Sequence, residues 1–278
     1  MTACASVSAR PTHAADRFVV VDGARLRFRD EGRGPAVLLV HGWTLDLEMW
    51  DPQVSALRDA FRLIRLDRRG HGLSPGIAAP ERDSEDLAAL CQHLGLTRVA
   101  LLGMSQGVRA VIGFAARAPE QVQALILDGP PPLDSGSDPE VPLDQYAALV
   151  RTRGIEAFRH AWAHHALMQL RTANPDARAL LAAMLARYAG DDLRHPASRA
   201  EPAARLRLDS LTVPTLVLSG EHDLAGRKRA ARRLTARLSH AELAEIPGAG
   251  HLPNLDSPDA YSKLCREFLT HHHPPDTF

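Results

Sequence analysis

The pentapeptide Gly103-Met104-Ser105-Gln106-Gly107 constrains the fold more than any other part of the chain, because of what flanks it. Before it lies a short apolar run, Val99 to Leu102; after it a small-residue helical stretch reaches Ala118 and ends at Pro119. A serine at a sharp strand-to-helix turn sits in a strained backbone conformation, and nothing bulky fits two residues to either side. Glycines stand at both places. The turn sets the Ser105 hydroxyl above the carboxyl end of a sheet, at the start of a helix whose free N–H groups and dipole favour negative charge.

Such a turn needs parallel strands and crossover helices, and the apolar runs supply them. Val37 to Val40, Leu63 to Leu66, Val99 to Leu102 and Leu125 to Leu127 are too continuously apolar for a half-wet sheet, and each is separated from the next by enough chain for a helix. They predict a parallel sheet covered on both faces. Ahead of them, Phe18 to Val21 and Leu26 to Phe28 flank Asp22-Gly23, which predicts an antiparallel hairpin. A helix is expected over Glu85 to Leu94, started by Asp83-Ser84 and stopped by Gly95.

The alternation stops at Gly129-Pro130-Pro131-Pro132. From Leu133 to about Asp209 the chain is Ala-rich and helical, broken at Pro175 and Pro196, and reads as an inserted cap. Thr215 to Ser219 and Ala241 to Ile246 return as strands, with helices around Arg229 to Leu238 and over Tyr261 to Leu269. The expected organisation is a flexible leader (1–16), an α/β core (17–132 and 210–270), a helical cap (133–209) and a frayed tail (271–278) that holds His271 to His273.

Composition narrows the partners. In 278 residues, 45% are apolar, and 33 Lys and Arg balance 33 Asp and Glu, so no basic surface calls for nucleic acid or an anionic membrane. No apolar run approaches the length of a membrane helix. Three cysteines, Cys4, Cys91 and Cys265, match neither a disulfide framework nor a metal spacing, which points to a reducing cytoplasm.

A serine hydroxyl is a poor nucleophile near neutral pH; it needs a base, and the base needs an acid to hold its tautomer. After a serine elbow the acid and then the histidine follow on later strand-ending loops. Asp223 stands in Ser219-Gly220-Glu221-His222-Asp223 and His251 in Pro247-Gly248-Ala249-Gly250-His251, each after a strand. Glu221 and Asp128 are rival acids, Asp128 the stronger because it ends the strand Leu125 to Leu127; Asp223 is favoured. Of the 14 histidines, His41 reads as buried behind its glycine turn, His160 and His164 have metal-type spacing without a third ligand, and His222 cannot reach the same serine as its neighbour. Backbone N–H groups of Gln106 and of Trp43, in His41-Gly42-Trp43, would form an oxyanion hole. Asp67 and Arg68, in Asp67-Arg68-Arg69-Gly70-His71-Gly72, read as a turn network. Tyr146, Trp162, His165 and Met168 are candidates to line a substrate pocket under the cap.

Together these motifs resemble the α/β-hydrolase superfamily, in particular its compact bacterial arylesterase, enol-lactonase and cofactor-free perhydrolase group, from about Phe18 to Leu269. The resemblance implies a mostly parallel eight-stranded sheet, a helical cap after the sixth strand, and no metal or organic cofactor. It implies a serine hydrolase with Ser105 as nucleophile, His251 as base and Asp223 as acid, acting on a small-molecule ester or lactone, as a monomer or homodimer. Carbon–carbon bond hydrolysis, perhydrolysis or ligand binding without catalysis are the alternatives on the same fold. Val108 departs from the pattern, standing where relatives often carry a second glycine, and is expected to crowd the helix–strand contact or narrow the acyl side.

Overall fold

The computed structural model describes residues 14–133, 138–195, 208 and 211–274. The expected leader as far as residue 13, with Cys4, the end of the cap at 196–207, with Pro196, and the last four residues lie outside these. Eight strands form one sheet: β1 (Arg17–Val21), β2 (Ala24–Glu31), β3 (Ala36–Val40), β4 (Arg62–Leu66), β5 (Val99–Met104), β6 (Val122–Asp128), β7 (Thr215–Gly220) and β8 (Ala241–Ile246). Their order is β1-β2-β4-β3-β5-β6-β7-β8. Strand β2 pairs antiparallel with β1 and β4, and every other neighbour is parallel. The Asp22-Gly23 turn has φ of 45° and 77°, the two positive angles of a two-residue hairpin.

Continuous apolar strands are explained by two separate cores. Val37 and Leu39 of β3 point into one cluster; Leu38 and Val40 point into the other. All four are fully buried, and each such burial stabilises by about 1.5–3 kcal/mol. One face carries α2 (Asp83–His93), α3 (Gln106–Arg117) and α7 (Ala225–Arg237); the other carries α1 (Asp51–Leu57) and α9 (Pro258–His272), with α8 (Pro253–Asp256) leading into α9. Strand β8 ends the sheet and carries two exposed glutamates, Glu242 and Glu245, charges of the kind that blunt an edge strand.

Helix α2 begins at Asp83 rather than Glu85. Asp83 does not cap it; its buried carboxylate accepts from Arg68 Nε at 2.9 Å and Nη2 at 2.5 Å. The frayed tail is corrected as well: α9 runs to His272, and buried His273 puts Nε2 2.9 Å from the Ala36 carbonyl. Between β6 and β7 the described residues form α4 (Leu143–Ala163), α5 (Pro175–Arg187) and α6 (Asp191–Arg194). Pro175 opens α5 at a position where a missing N–H costs nothing. Gly154 breaks α4 with φ 82°. Among the described residues no helix is long and apolar enough to cross a membrane.

Candidate active site

Ser105 connects β5 to α3 with φ 51° and ψ −116°, a left-handed conformation rare for a side chain with Cβ. Gly107 makes that turn possible, since a methyl group there would lie 2.5 Å from the Val40 carbonyl oxygen and 2.8 Å from that of His41. The Ser105 N–H donates to the Asp128 carbonyl at 2.8 Å, which fixes the turn against the end of β6. Val108 is fully buried in the cluster under α3, so it fills the core and does not narrow the acyl side.

The next residue along β6, Gly129, is where the histidine arrives: a methyl group on it would lie 2.9 Å from His251 Cε1. The Ser105 backbone and the His251 ring thus both border the Asp128-Gly129 segment. The His251 Nδ1–H donates to Asp223 Oδ2 at 2.9 Å, and both side chains are almost wholly buried. Asp223 Oδ1 takes the Leu224 N–H at 2.7 Å, a second fixed donor on the carboxylate. With Nδ1 protonated by this bond, Nε2 presents a lone pair.

The other acids are elsewhere. Glu221 is exposed and accepts the Gly248 N–H at 2.8 Å, which holds its carboxyl below the usual range. Asp128 turns its side chain toward Tyr261 and Cys265 of α9, in a fully buried position where neither oxygen has a well-formed hydrogen bond. Burial, and then the Asp223 charge, push the Asp128 carboxyl well above the ordinary range, which favours its neutral form. His222 is exposed, and His160 and His164 lie on the exposed side of α4 with rings 4.6 Å apart.

Gln106 opens α3, where the N–H has no partner within the helix. Its side-chain Oε1 accepts from Arg68 Nη1 at 2.9 Å, so Arg68 joins the serine turn to Asp83 of α2. His41 is buried, with Nδ1–H donating to the Gly42 carbonyl at 2.7 Å while Nε2 accepts the Arg68 N–H at 2.9 Å. Burial, with His71 and Arg68 nearby, holds the His41 imidazole well below its ordinary range, so the ring is a neutral bracket for the His41-Gly42-Trp43 turn. Asp67, buried, accepts the Leu47 N–H at 2.8 Å and the Leu73 N–H at 2.7 Å, which ties the same loop to β4. The turn network expected of Asp67 and Arg68 is therefore present.

His71, whose ring lies 5.2 Å from that of His41, is lowered from 6.5 to about 4, mainly by burial and then by Arg68. Between those two pH values the unfolded chain binds a proton there that the folded chain does not, so stability falls as pH drops through the window. Urea titrations from pH 6.5 to 4 are expected to give a shallower loss of stability for His71→Phe than for the parent. Parallel curves would assign the loss to other groups.

All four residues expected to line a pocket lie on the cap segment, with Trp43 of the core facing them. Trp43 and Trp162 meet edge to face at 5.0 Å, Tyr146 meets Trp162 at 5.5 Å, and His165 stacks on Trp162 at 4.6 Å. Met168 is buried in the same apolar cluster. Phe158 and Tyr188, 5.6 and 5.9 Å from the Trp43 ring, complete this aromatic cluster. Neither stood out in the sequence, because helical spacing does not say which face Phe158 of α4 shares, and Tyr188 lies just beyond the end of α5.

A family model described as the alpha/beta hydrolase fold matches residues 35–258. A putative 2-succinyl-6-hydroxy-2,4-cyclohexadiene-1-carboxylate synthase of Bacillus subtilis is 29% identical over 271 residues, 91% of this chain and 97% of that protein. Among solved structures, an enol-lactonase from Burkholderia xenovorans is 32% identical with a TM-score of 0.78, covering 91% of this chain and all of that one. A thermophilic esterase from Thermogutta terrifontis is 30% identical with a TM-score of 0.80, covering 94% of this chain and all of that one.

Proposed function

The chain belongs to the α/β-hydrolase family, and on that premise we propose that it is a serine hydrolase cleaving a carboxylic ester or lactone of a small to medium, apolar substrate through an acyl-enzyme on Ser105. The observation that carries this reading is the His251–Asp223 bond of 2.9 Å set beside the strained Ser105 turn. Ser105 Oγ attacks the carbonyl carbon while His251 Nε2 takes its proton; Asp223 steadies the imidazolium that forms. The oxyanion is met by the N–H groups of Gln106 and Trp43, and its collapse expels the alcohol, which takes the proton from His251. Water, deprotonated by the same Nε2, then attacks the acyl carbon and releases the acid and Ser105.

The aromatic wall of Trp43, Tyr146 and Trp162 suits an apolar acyl or alcohol group. The enol-lactonase and esterase likenesses support ester and lactone chemistry. Cys91 and Cys265, both free and buried, suit a reducing cytoplasm. Hydrogen peroxide in place of water at the second step would give a peracid from the same acyl-enzyme.

A short-chain nitrophenyl ester tests the proposal. The expected result is a burst of nitrophenol equal to the enzyme concentration, absent in Ser105→Ala. No release with any activated ester would sink the serine-hydrolase reading in favour of ligand binding alone. Release without a Ser105-dependent burst, or turnover only of a diketone, would move the chemistry to another nucleophile or to carbon–carbon cleavage.

A further inference from the structure

The loop after β3 is held by three separate helices of the segment between β6 and β7. Trp43 Nε1–H donates to Asp192 Oδ2 of α6 at 2.8 Å. Trp162 of α4 donates its Nε1–H to Thr44 Oγ1 at 2.8 Å. Arg187, the last residue of α5, donates to Asp46 Oδ2 from Nε at 2.9 Å and from Nη2 at 2.7 Å, and reaches Glu48 as well. Three consecutive helices therefore converge on residues 43–48. The loop they hold is strained: Thr44 has φ 65°, a conformation that persists in a branched residue only where its surroundings impose it.

Core packing alone would not need this arrangement. Trp43 already packs against Tyr146, Phe158, Trp162 and Tyr188, so its ring is placed without a polar bond. What the Asp192 bond adds is direction, because an acceptor on the indole N–H fixes the ring's rotation and with it the Trp43 backbone. Asp192 is itself oriented by the Tyr188 hydroxyl, which donates to Oδ1. A backbone donor serves an oxyanion only if it is preset before charge develops. A displacement of about 1 Å at such a donor costs roughly 100-fold in rate.

We propose that Asp192 is a positioning residue for the reaction, which sets the Trp43 backbone N–H toward the oxyanion by holding the Trp43 indole, so that the helical segment completes the oxyanion hole as well as covering the substrate. This rests on the serine-hydrolase reading of the preceding section. Asp192 touches no reacting atom; it acts through Trp43.

The test is a double-mutant cycle on a small nitrophenyl ester, with affinity for an alkylboronic acid as a second readout, since a boronate bonded to Ser105 carries the oxyanion charge without turnover. Asp192→Ala is expected to lower kcat by about 30-fold with KM little changed, and to weaken boronate binding by a similar factor. Asp192→Asn keeps an acceptor for the indole and should recover most of the loss. Trp43→Phe should cost as much as Asp192→Ala, and the double variant no more than either alone.

Additive losses, or a rise in KM with kcat intact, would overturn the proposal and leave Asp192 a substrate contact or a packing residue. Should Asp192→Ala fail to fold, Tyr188→Phe removes the hydroxyl that orients Asp192 and keeps the ring; it should lower kcat and boronate affinity together, and unchanged values for both would overturn the proposal. A normal Ser105-dependent burst in the parent combined with any of these negative results fails the positioning role alone. No burst and no boronate binding in the parent would remove both readings.

Discussion

Replacing His251 by alanine is expected to lower kcat on an activated ester by about a million-fold, because base, acid and nucleophile act as a unit and loss of the base forfeits nearly all of it. Asp223→Asn should cost about ten thousand-fold: it keeps the shape but removes the carboxylate that holds Nδ1 protonated, so Nε2 faces Ser105 carrying the proton and without a lone pair. Asp128→Asn is the discriminating control. Burial favours the neutral form of the Asp128 carboxyl, which faces Tyr261, so an amide of the same shape should change kcat little. Steady-state kinetics with thermal unfolding of each variant decide the matter. A greater loss in Asp128→Asn than in Asp223→Asn, at equal stability, would transfer the acid's role to β6.

Gly220→Ala should be among the most damaging single substitutions in the chain. The new methyl group would lie 2.0 Å from the Gly250 carbonyl oxygen and 2.5 Å from that of Ala249, both backbone atoms with no room to yield. Gly220 ends the strand that leads to Asp223, and Gly250 immediately precedes His251, so this one close approach is what lets the two loops meet. The expected loss is about 3 kcal/mol in urea unfolding, the upper end of what overpacking costs when it forces a backbone shift. Any folded fraction should also have lost most of its activity as the His251–Asp223 bond opens. Gly248→Ala in the same loop has open space around it and only a left-handed φ of 70° to strain, so about 1 kcal/mol is expected. Equal losses for the two would mean that backbone conformation, rather than the contact between loops, limits this region.

Much of this was legible because it is local. The hairpin turn, the strand–serine–helix elbow and the two loops bearing Asp223 and His251 are each written in a handful of adjacent residues. A continuously apolar β3 announces cover on both faces, and the two clusters that receive Val37 and Leu38 are that cover. Errors came where a side chain had a distant partner. Asp83 looked like a helix cap and instead binds Arg68, 15 residues away; His273 looked like a frayed end and docks on Ala36, 237 residues away.

The sequence by itself determined the order of strands and helices, the place of the strand–serine–helix turn and the short list of candidate acids, because backbone propensity and hydrophobic period act over a few residues. Only the tertiary structure sets Asp223 rather than Asp128 against His251, with Asp128 sealed beside Tyr261 instead. It alone brought Asp192 to Trp43 across 149 positions. Hydrogen bonds are satisfied over about 3 Å in space whatever the separation along the chain, and no local pattern encodes which distant partner will arrive.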